Sequence, residues 1–365
     1  MRLLNLTVTC ILFFCFSIAK AEAPDLSSRL LSAPPHRVIR TCCAFGSDLR
    51  LMMVPILKYT DITSVDQLGP HSYLGNDSEG NGIIYTQRGG FIDMGHLRDQ
   101  ADWTAYLYSR IVLARQTGSL TMHLGREGGS KQLNLSIPAN LSKDDALQLA
   151  GRIAYDLSIW HEIATWYGSS TIPFVPERYS SFSIEDPYSN LLGITIGIKA
   201  IKSGLPYEEA MTKLIGNTLE TLCAVVSLNE TYDAMEAVRN LWWSRDKHLP
   251  SRDVLLKRQL WVYSCLEPWR VPGWNQNNLA SYDLIVPELT KDGYLLTNFY
   301  ELDFKLSRKF PVKEIFASKT DRRVTQADFG KLITHIARDI DFGEVKKEDK
   351  IQKSEVRRLK SEVRR

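Results

Sequence analysis

The sequence is poor in the residues that build covalently braced or metal-clustered folds. Only 6 of its 365 residues are cysteine and none forms a Cys-x-x-Cys pair, which excludes a zinc ribbon and a thioredoxin-type redox motif. No Gly-x-Ser-x-Gly segment occurs, so the nucleophile elbow of the α/β-hydrolases is missing. The turn Gly125-Arg-Glu-Gly128-Gly129 lacks the Gly-Lys-Ser/Thr ending of a phosphate loop. Beyond the first residues, no apolar run approaches the roughly 20 residues that cross a bilayer, so no transmembrane span is expected.

What is present begins with an export signature. Arg2 precedes an apolar run from Leu6 to Ala19, and Ala19-Lys20-Ala21 offers a small-x-small cleavage site. These features predict a signal peptide over residues 1–21 and a mature chain starting at Glu22, exported to the periplasm or secreted. Cys10 and Cys15 would leave with the signal, and four cysteines would remain in a compartment where disulfides persist. Neighbouring Cys42 and Cys43 would be strained if bonded to each other, so at least one is expected to pair with Cys223 or Cys265.

The composition, 44% hydrophobic and 24% charged, is that of an ordinary globular chain with a sizeable core. The formal charge of +3 is concentrated in the last 20 residues, where nine Lys or Arg face four acids. The body over 22–345 is therefore mildly acidic, which disfavours a nucleic-acid partner; it is expected to form one globular domain, or two packed lobes. The tail 346–365 repeats Ser-Glu-Val-Arg-Arg at 354–358 and 361–365. It reads as a solvated extension or a short basic amphipathic helix making weak contact with an anionic surface.

Periodicity predicts an α+β fold, predominantly helical, with small antiparallel sheet elements. A strand is expected at Ile83–Thr86, and a helix from Asp93 to about Gln116, where Trp103, Leu107, Ile111 and Ala114 recur at helical spacing. Ser119–Leu135 alternates like a hairpin. Ser142-Lys-Asp-Asp145 starts a second helix that stops at Gly168, and Asp186-Pro187 starts a third that runs towards Ile201. Its Gly193-x-x-x-Gly197 spacing permits close packing on a neighbour. Further helices are expected at Tyr207–Val226, Tyr232–Trp243 and Thr325–Arg338, with strand at Gly293–Leu306.

Three segments set ionisable groups among apolar ones. In the first, His96 and Asp99 stand three apart on a helix and so share a face. The second is Trp160-His161-Glu162-Ile-Ala-Thr165, and the third is Ser183-Ile-Glu185-Asp186-Pro-Tyr-Ser189-Asn190. His161-Glu162 is reminiscent of the zinc-protease signature, but Thr165 occupies the second histidine position and is a poor zinc ligand. The alternative donor set is His96 and His161 with Asp99 or Glu185, Asp186 being a further ligand carboxylate. That set suits a divalent metal, zinc first. Glu162 would act as general base on water, with Asp186 as a second catalytic carboxylate. A competing nucleophilic mechanism rests on Ser189, whose helix-start backbone N–H groups could stabilise an oxyanion. A histidine beside tryptophans is often a core residue hydrogen-bonded to a carboxylate. Burying three such segments without a use, however, would be costly unless every group were paired.

Arg40-Thr-Cys-Cys-Ala-Phe-Gly46, Gly90-Phe-Ile-Asp-Met-Gly-His-Leu-Arg-Asp99, Trp160-His-Glu-Ile-Ala-Thr-Trp-Tyr-Gly168 and Ser183-Ile-Glu-Asp-Pro-Tyr-Ser-Asn190 resemble the bacterial envelope proteins grouped as domain-of-unknown-function family 4056. The resemblance extends from about Val38 to Phe342. It implies a bacterial exported protein and carries no activity with it. The expectation is thus an envelope hydrolase with a metal-assisted His/carboxylate site, acting on an envelope substrate or polymer. The alternative is a non-catalytic binding or structural protein, whose ligand groove would be lined by Trp242, Trp243, Trp269 and Trp274.

Overall fold

The computed structural model describes residues 34–35, 40, 44–51, 54–58, 60–170, 177–261, 264–274, 279–317 and 321–341. The expected signal segment, Cys42, Cys43 and the basic tail lie outside these residues.

Three helices form the centre, and each starts where its capping chemistry dictates. α1 (Met94–Thr117) is capped by Asp93, whose carboxylate accepts the His96 backbone N–H at 3.0 Å, and it ends at left-handed Gly118. α2 (Lys143–Trp166) is capped by Ser142, whose hydroxyl accepts the Asp145 N–H at 3.0 Å. α3 (Asp186–Lys202) carries Pro187 in its first turn, where a missing N–H does no harm. α3 lies directly on α1 because Gly193 and Gly197 have no side chain. A Cβ on Gly193 would sit 2.0 Å from the Leu97 carbonyl oxygen, and one on Gly197 would sit 3.0 Å from the Ala101 Cα. Gly151 of α2 likewise seats Ile194 and Ile198 of α3.

The strands are short and antiparallel. β1 (Arg50–Leu51) pairs with β2 (Val54–Lys58), and β3 (Ile83–Thr86) pairs with β4 (Gly90–Asp93), which feeds straight into α1. A four-stranded sheet joins β5 (Ser119–Arg126), β6 (Gly129–Ser136), β9 (Tyr300–Leu306) and β10 (Arg323–Thr325) in the order β10-β9-β6-β5. β7 (Cys265–Leu266) pairs with β8 (Leu284–Ile285). Alternate residues of β6 and β9, among them Leu133, Leu135, Leu302 and Phe304, point into the main core. There Trp160 of α2 stacks on Phe304 at 3.9 Å between ring centres and on Phe310 at 5.7 Å. A second apolar cluster gathers Phe45, Phe91, Trp242 and Trp243, with Trp269 and Trp274 half-buried at its edge. These four tryptophans are packing residues, the role they would have if they did not line a binding groove.

The fold is α+β and predominantly helical, with small antiparallel sheets. α4 (Tyr207–Thr221) ends earlier than expected, because the chain turns at Cys223 with φ +55°. α5 (Leu228–Ala237) replaces the helix expected at Tyr232–Trp243. Ser227 and Glu230 close a capping box at its start, and the chain leaves the helix after Ala237. After the short α6 (Val312–Ile315), a closing helix follows a single 3-10 turn and runs over 329–341. The expected strand from Gly293 is shortened to β9 by a 3-10 turn at Leu296–Phe299. Among the described residues there is no disulfide, Cys223 and Cys265 being free thiols; the bond expected from Cys42 or Cys43 involves residues outside those described. Nor is any described helix long and apolar enough to cross a membrane.

Candidate metal centre

Helix packing brings together two histidines that are far apart in sequence. His96, in the first turn of α1, and His161, near the end of α2, lie with ring centroids 6.3 Å apart, tilted by 58°, and both are buried. Glu162 joins them, and one ligand atom from each of the three lies within 4.8 Å of the others.

Both imidazoles present Nδ1 to carboxylates. His96 Nδ1 is 3.3 Å from Asp93 Oδ2 and 3.2 Å from Asp186 Oδ1. His161 Nδ1 is 2.5 Å from Glu127 Oε1, and Glu127 Oε2 in turn meets Lys131 Nζ at 2.7 Å. A carboxylate behind one imidazole nitrogen fixes the ring and makes the other nitrogen the better donor, as is usual around bound metals. Burial pushes the Asp93 carboxyl up, but the neighbouring His96 and the N–H groups of the α1 start outweigh it and hold the carboxyl below its ordinary range. Asp93, His96 and Asp186 form a second close set of donor atoms that shares His96 with the first.

Glu162 is buried beneath the loop that leads to α3. Its Oε2 accepts the Phe182 N–H at 2.5 Å, and its backbone carbonyl accepts the Ser181 hydroxyl at 2.8 Å. Phe182 has φ +58°, a left-handed conformation that a bulky residue holds at a cost of about 1–3 kcal/mol. The Glu162 contact holds it there. Glu162 Oε1 has no hydrogen-bond partner.

The third expected segment divides its roles differently from expectation. Asp186 reaches His96, whereas Glu185 lies behind it and accepts the Ser183 hydroxyl at 2.5 Å. Burial, with the charge of Asp93 adding to it, pushes the Glu185 carboxyl up to about 8. It belongs to neither close set of donor atoms. Ser189 is fully buried; it donates to the Glu185 carbonyl at 2.7 Å and accepts the Asp93 N–H at 2.9 Å. This hydroxyl ties α3 to β4, a structural use that replaces the expected nucleophile.

Asp99 does not come to the histidines. α1 is buried on nearly every side, so residues three apart, although only about 60° apart around the axis, meet different neighbours. Asp99 Oδ1 is 3.2 Å from Arg40, in a second, separate network. There Arg40 grips Glu79 through two bonds of 2.8 and 2.9 Å and Asp102 at 2.7 Å, while His71 Nε2 and Tyr207 Oη reach Asp102 at 3.1 and 3.0 Å. Burial works against the Asp102 charge, but Arg40 and His71 outweigh it and hold the carboxyl down to about 2. This network is buried, and it clamps Arg40 and the loop at 71–79 onto α1.

A cleft of about 300 Å³ opens beside the histidine pair. Its lining includes His161, Glu127, Lys131, Trp103, Gln100 and Thr165. Glu127 was invisible to sequence reasoning: it stands at the tip of the β5–β6 hairpin, 34 positions from His161, and only tertiary packing joins them. Trp160 Nε1 anchors that tip by donating to the Glu127 carbonyl at 3.0 Å.

Fold and site together define an α+β protein with a buried two-histidine, carboxylate-backed centre, of which His161 and Glu127 line a polar cleft. The chain matches the family described as "Protein of unknown function (DUF4056)" over residues 30–272. It belongs to that family. The match contains α1, α2, α3 and every residue of the centre, but it stops short of the expected Phe342 and leaves out β8, β9 and β10. No curated protein and no solved structure matches the chain.

Proposed function

We propose that this protein is a metal-dependent hydrolase of the bacterial envelope, with zinc held by His96 and His161 and served by Glu162. One observation carries the reading: two buried histidines from different helices face a common space with Glu162, and both turn Nδ1 to a carboxylate. His96 and His161 would hold the ion, and Glu162, whose ligand atom lies within 4.8 Å of theirs, would stand beside it. Bound there, the ion would polarise a carbonyl and a water molecule. Glu162 Oε1 takes a proton from the attacking water, whose oxygen bonds to the carbonyl carbon. The proton then passes to the departing nitrogen or oxygen as its bond to that carbon breaks.

Metal content tests the proposal. Protein equilibrated with zinc and dialysed is expected to hold about one equivalent. His96→Ala and His161→Ala, with unchanged circular dichroism, should lose most of it. Glu162→Gln should keep the metal and lose turnover. Zinc-free wild-type protein, or full zinc in either histidine variant, refutes the assignment. The competing reading, a non-catalytic protein whose polar groups only order the fold, draws on Asp93, which caps α1 and meets His96 at once. That reading expects the zinc-free result. Export is part of the same proposal and is supported by the Arg2 lead and the Ala19-Lys20-Ala21 site. An intact mass starting at Glu22 supports it, and an exported form that retains Met1 refutes it.

A further inference from the structure

We infer that Arg178 and Arg252, gathered on Trp166, form a binding site for a phosphate-type oxyanion that is separate from the histidine pair and independent of the hydrolase reading. Trp166 is the last residue of α2, Arg178 stands in the loop that leads to α3, and Arg252 opens a 3-10 turn at Arg252–Val254. Segments distant in sequence thus deliver these groups to one place. The guanidinium carbons of Arg178 and Arg252 lie over the Trp166 ring, 4.9 and 5.0 Å from its centre, and that of Arg258 lies over it at 5.5 Å. Each cation is attracted by the ring, but the three repel one another. Burial first, and the charge of Arg252 next, hold the Arg258 guanidinium down to about 10 and the Arg178 guanidinium below its ordinary range. On Arg178 the charge of Arg252 outweighs that of Asp339, whose carboxylate oxygen is 3.9 Å away. Guanidiniums on opposite faces of the ring would stand about 10 Å apart, too far for that effect. Arg178 and Arg252 therefore share one side of the indole.

The protein answers only part of this charge. Arg258 donates to the carbonyls of Ser181, Tyr179 and Arg252, and the charges of Glu162 and Asp253 relieve it, so it serves the fold. Arg178 meets only Asp339, at 3.9 Å with both side chains more than a third exposed, a contact of little strength in water. Its Nε is buried without a hydrogen-bond partner. The half-buried Arg252 side chain makes no hydrogen bond or ion pair among the described residues. Trp166 is 1% exposed, yet its Nε1 has no partner either. Buried polar atoms are nearly always paired. The unanswered atoms here are all N–H donors, and they belong to the very groups that touch one another. Their complement is a negative group with several acceptor oxygens and no donor. Guanidinium forks grip carboxylates and phosphates alike, but two guanidiniums with no close carboxylate to match them favour the doubly charged phosphate group.

The test uses metal-free full-length protein at low ionic strength and three probes followed by titration calorimetry: inorganic phosphate, phenyl phosphate and acetate. Saturable binding of at least one phosphate is expected, about tenfold or more tighter than acetate and weakening as sodium chloride is raised. Arg178→Gln and Arg252→Gln, with unchanged circular dichroism, should each weaken it about tenfold, because charge-assisted hydrogen bonds have been removed. Phosphate should also raise the Tm of the wild type and leave that of Arg252→Gln where it was, a difference that stacking of Arg252 on Trp166 for the fold alone would not produce. Tighter binding of phenyl phosphate identifies the phosphoryl group of an ester as the ligand, and tighter binding of inorganic phosphate identifies the free ion; the site stands in both cases. No saturable binding, acetate binding as tightly as the phosphates, or unchanged affinity in either arginine variant overturns the inference. The zinc content of the same variants after loading should equal that of the wild type, so failure of the metal centre and failure of this site are read separately.

Discussion

Replacing Gly193 by alanine probes the contact on which the candidate centre depends. An added Cβ would lie 2.0 Å from the Leu97 carbonyl oxygen, 2.7 Å from its carbon and 2.8 Å from the Leu97 Cα, whereas ordinary contact begins at 3.4 Å. All three atoms are backbone, so no side chain can swing aside, and α3 must part from α1 by about 1 Å at this point. Overpacking of this kind costs about 1–3 kcal/mol or more, against which alanine returns about 1 kcal/mol of helix propensity. A net loss of about 2 kcal/mol is expected, or several degrees in Tm. Gly216 on α4 is the internal control, because nothing lies within 4 Å of its Cβ position. Gly216→Ala should gain about 0.5–1 kcal/mol. The contact also joins the helix that carries His96 to the one that carries Asp186, so zinc affinity should fall about tenfold in Gly193→Ala and stay unchanged in Gly216→Ala. Urea and thermal unfolding followed by circular dichroism measure the first effect, and competition with a chelating dye measures the second. If the two alanine variants prove equally stable, the close approach of α1 and α3 is wrong, and with it the geometry of the centre.

Two further outcomes concern pH. Asp102 is held down to about 2 from an ordinary 3.8, so its contribution, about 2 kcal/mol, is complete above pH 4 and disappears as pH falls towards 2. Asp102→Asn should flatten that limb of the acid-unfolding curve, and an unchanged limb would contradict the network. Glu185 has the opposite sign: its carboxyl is raised from 4.5 to about 8, so the folded state retains a proton that the unfolded chain loses, and stability declines over that range by on the order of 1 kcal/mol per pH unit. Glu185→Gln should remove this slope and be more stable than wild type at pH 8, as measured by chemical unfolding; a steeper slope in the variant would count against the assignment.

The parts of the fold that declared themselves in sequence are those fixed by local chemistry. Asp93, Ser142 and Asp186-Pro187 mark the starts of α1, α2 and α3 because capping is decided within one turn, and Gly193-x-x-x-Gly197 marks the face that packs. Ser227-x-x-Glu230 carries the same kind of information and starts α5 at Leu228, four residues before the expected Tyr232, whereas Trp242 and Trp243, at the end of the expected helix, belong to the second core. His96 and His161 stood out because each is a histidine set beside carboxylates on a helix with a strong apolar face. Their carboxylate partners could not be read in the same way. Whether Glu185 or Asp186 turns towards His96 depends on the few degrees by which the chain enters α3. Asp99 left the site because α1 has neighbours all round, and Glu127 entered it because a sheet delivers a hairpin tip there. None of these facts has a local signature.

The β5–β6 hairpin and the helices divide the site between them. The histidines are set by helix packing, whereas the far wall of the cleft belongs to strand residues 124–131, held to the helices at the tip by Trp160 and Glu127. At the tip, Gly129 lies so close to β9 that a Cβ would fall 1.9 Å from the Lys305 carbonyl oxygen, and β5 breaks register between His123 and Arg126. Lengthening, shortening or re-registering this one hairpin would therefore change what enters the cleft while leaving the packing of the three helices in place.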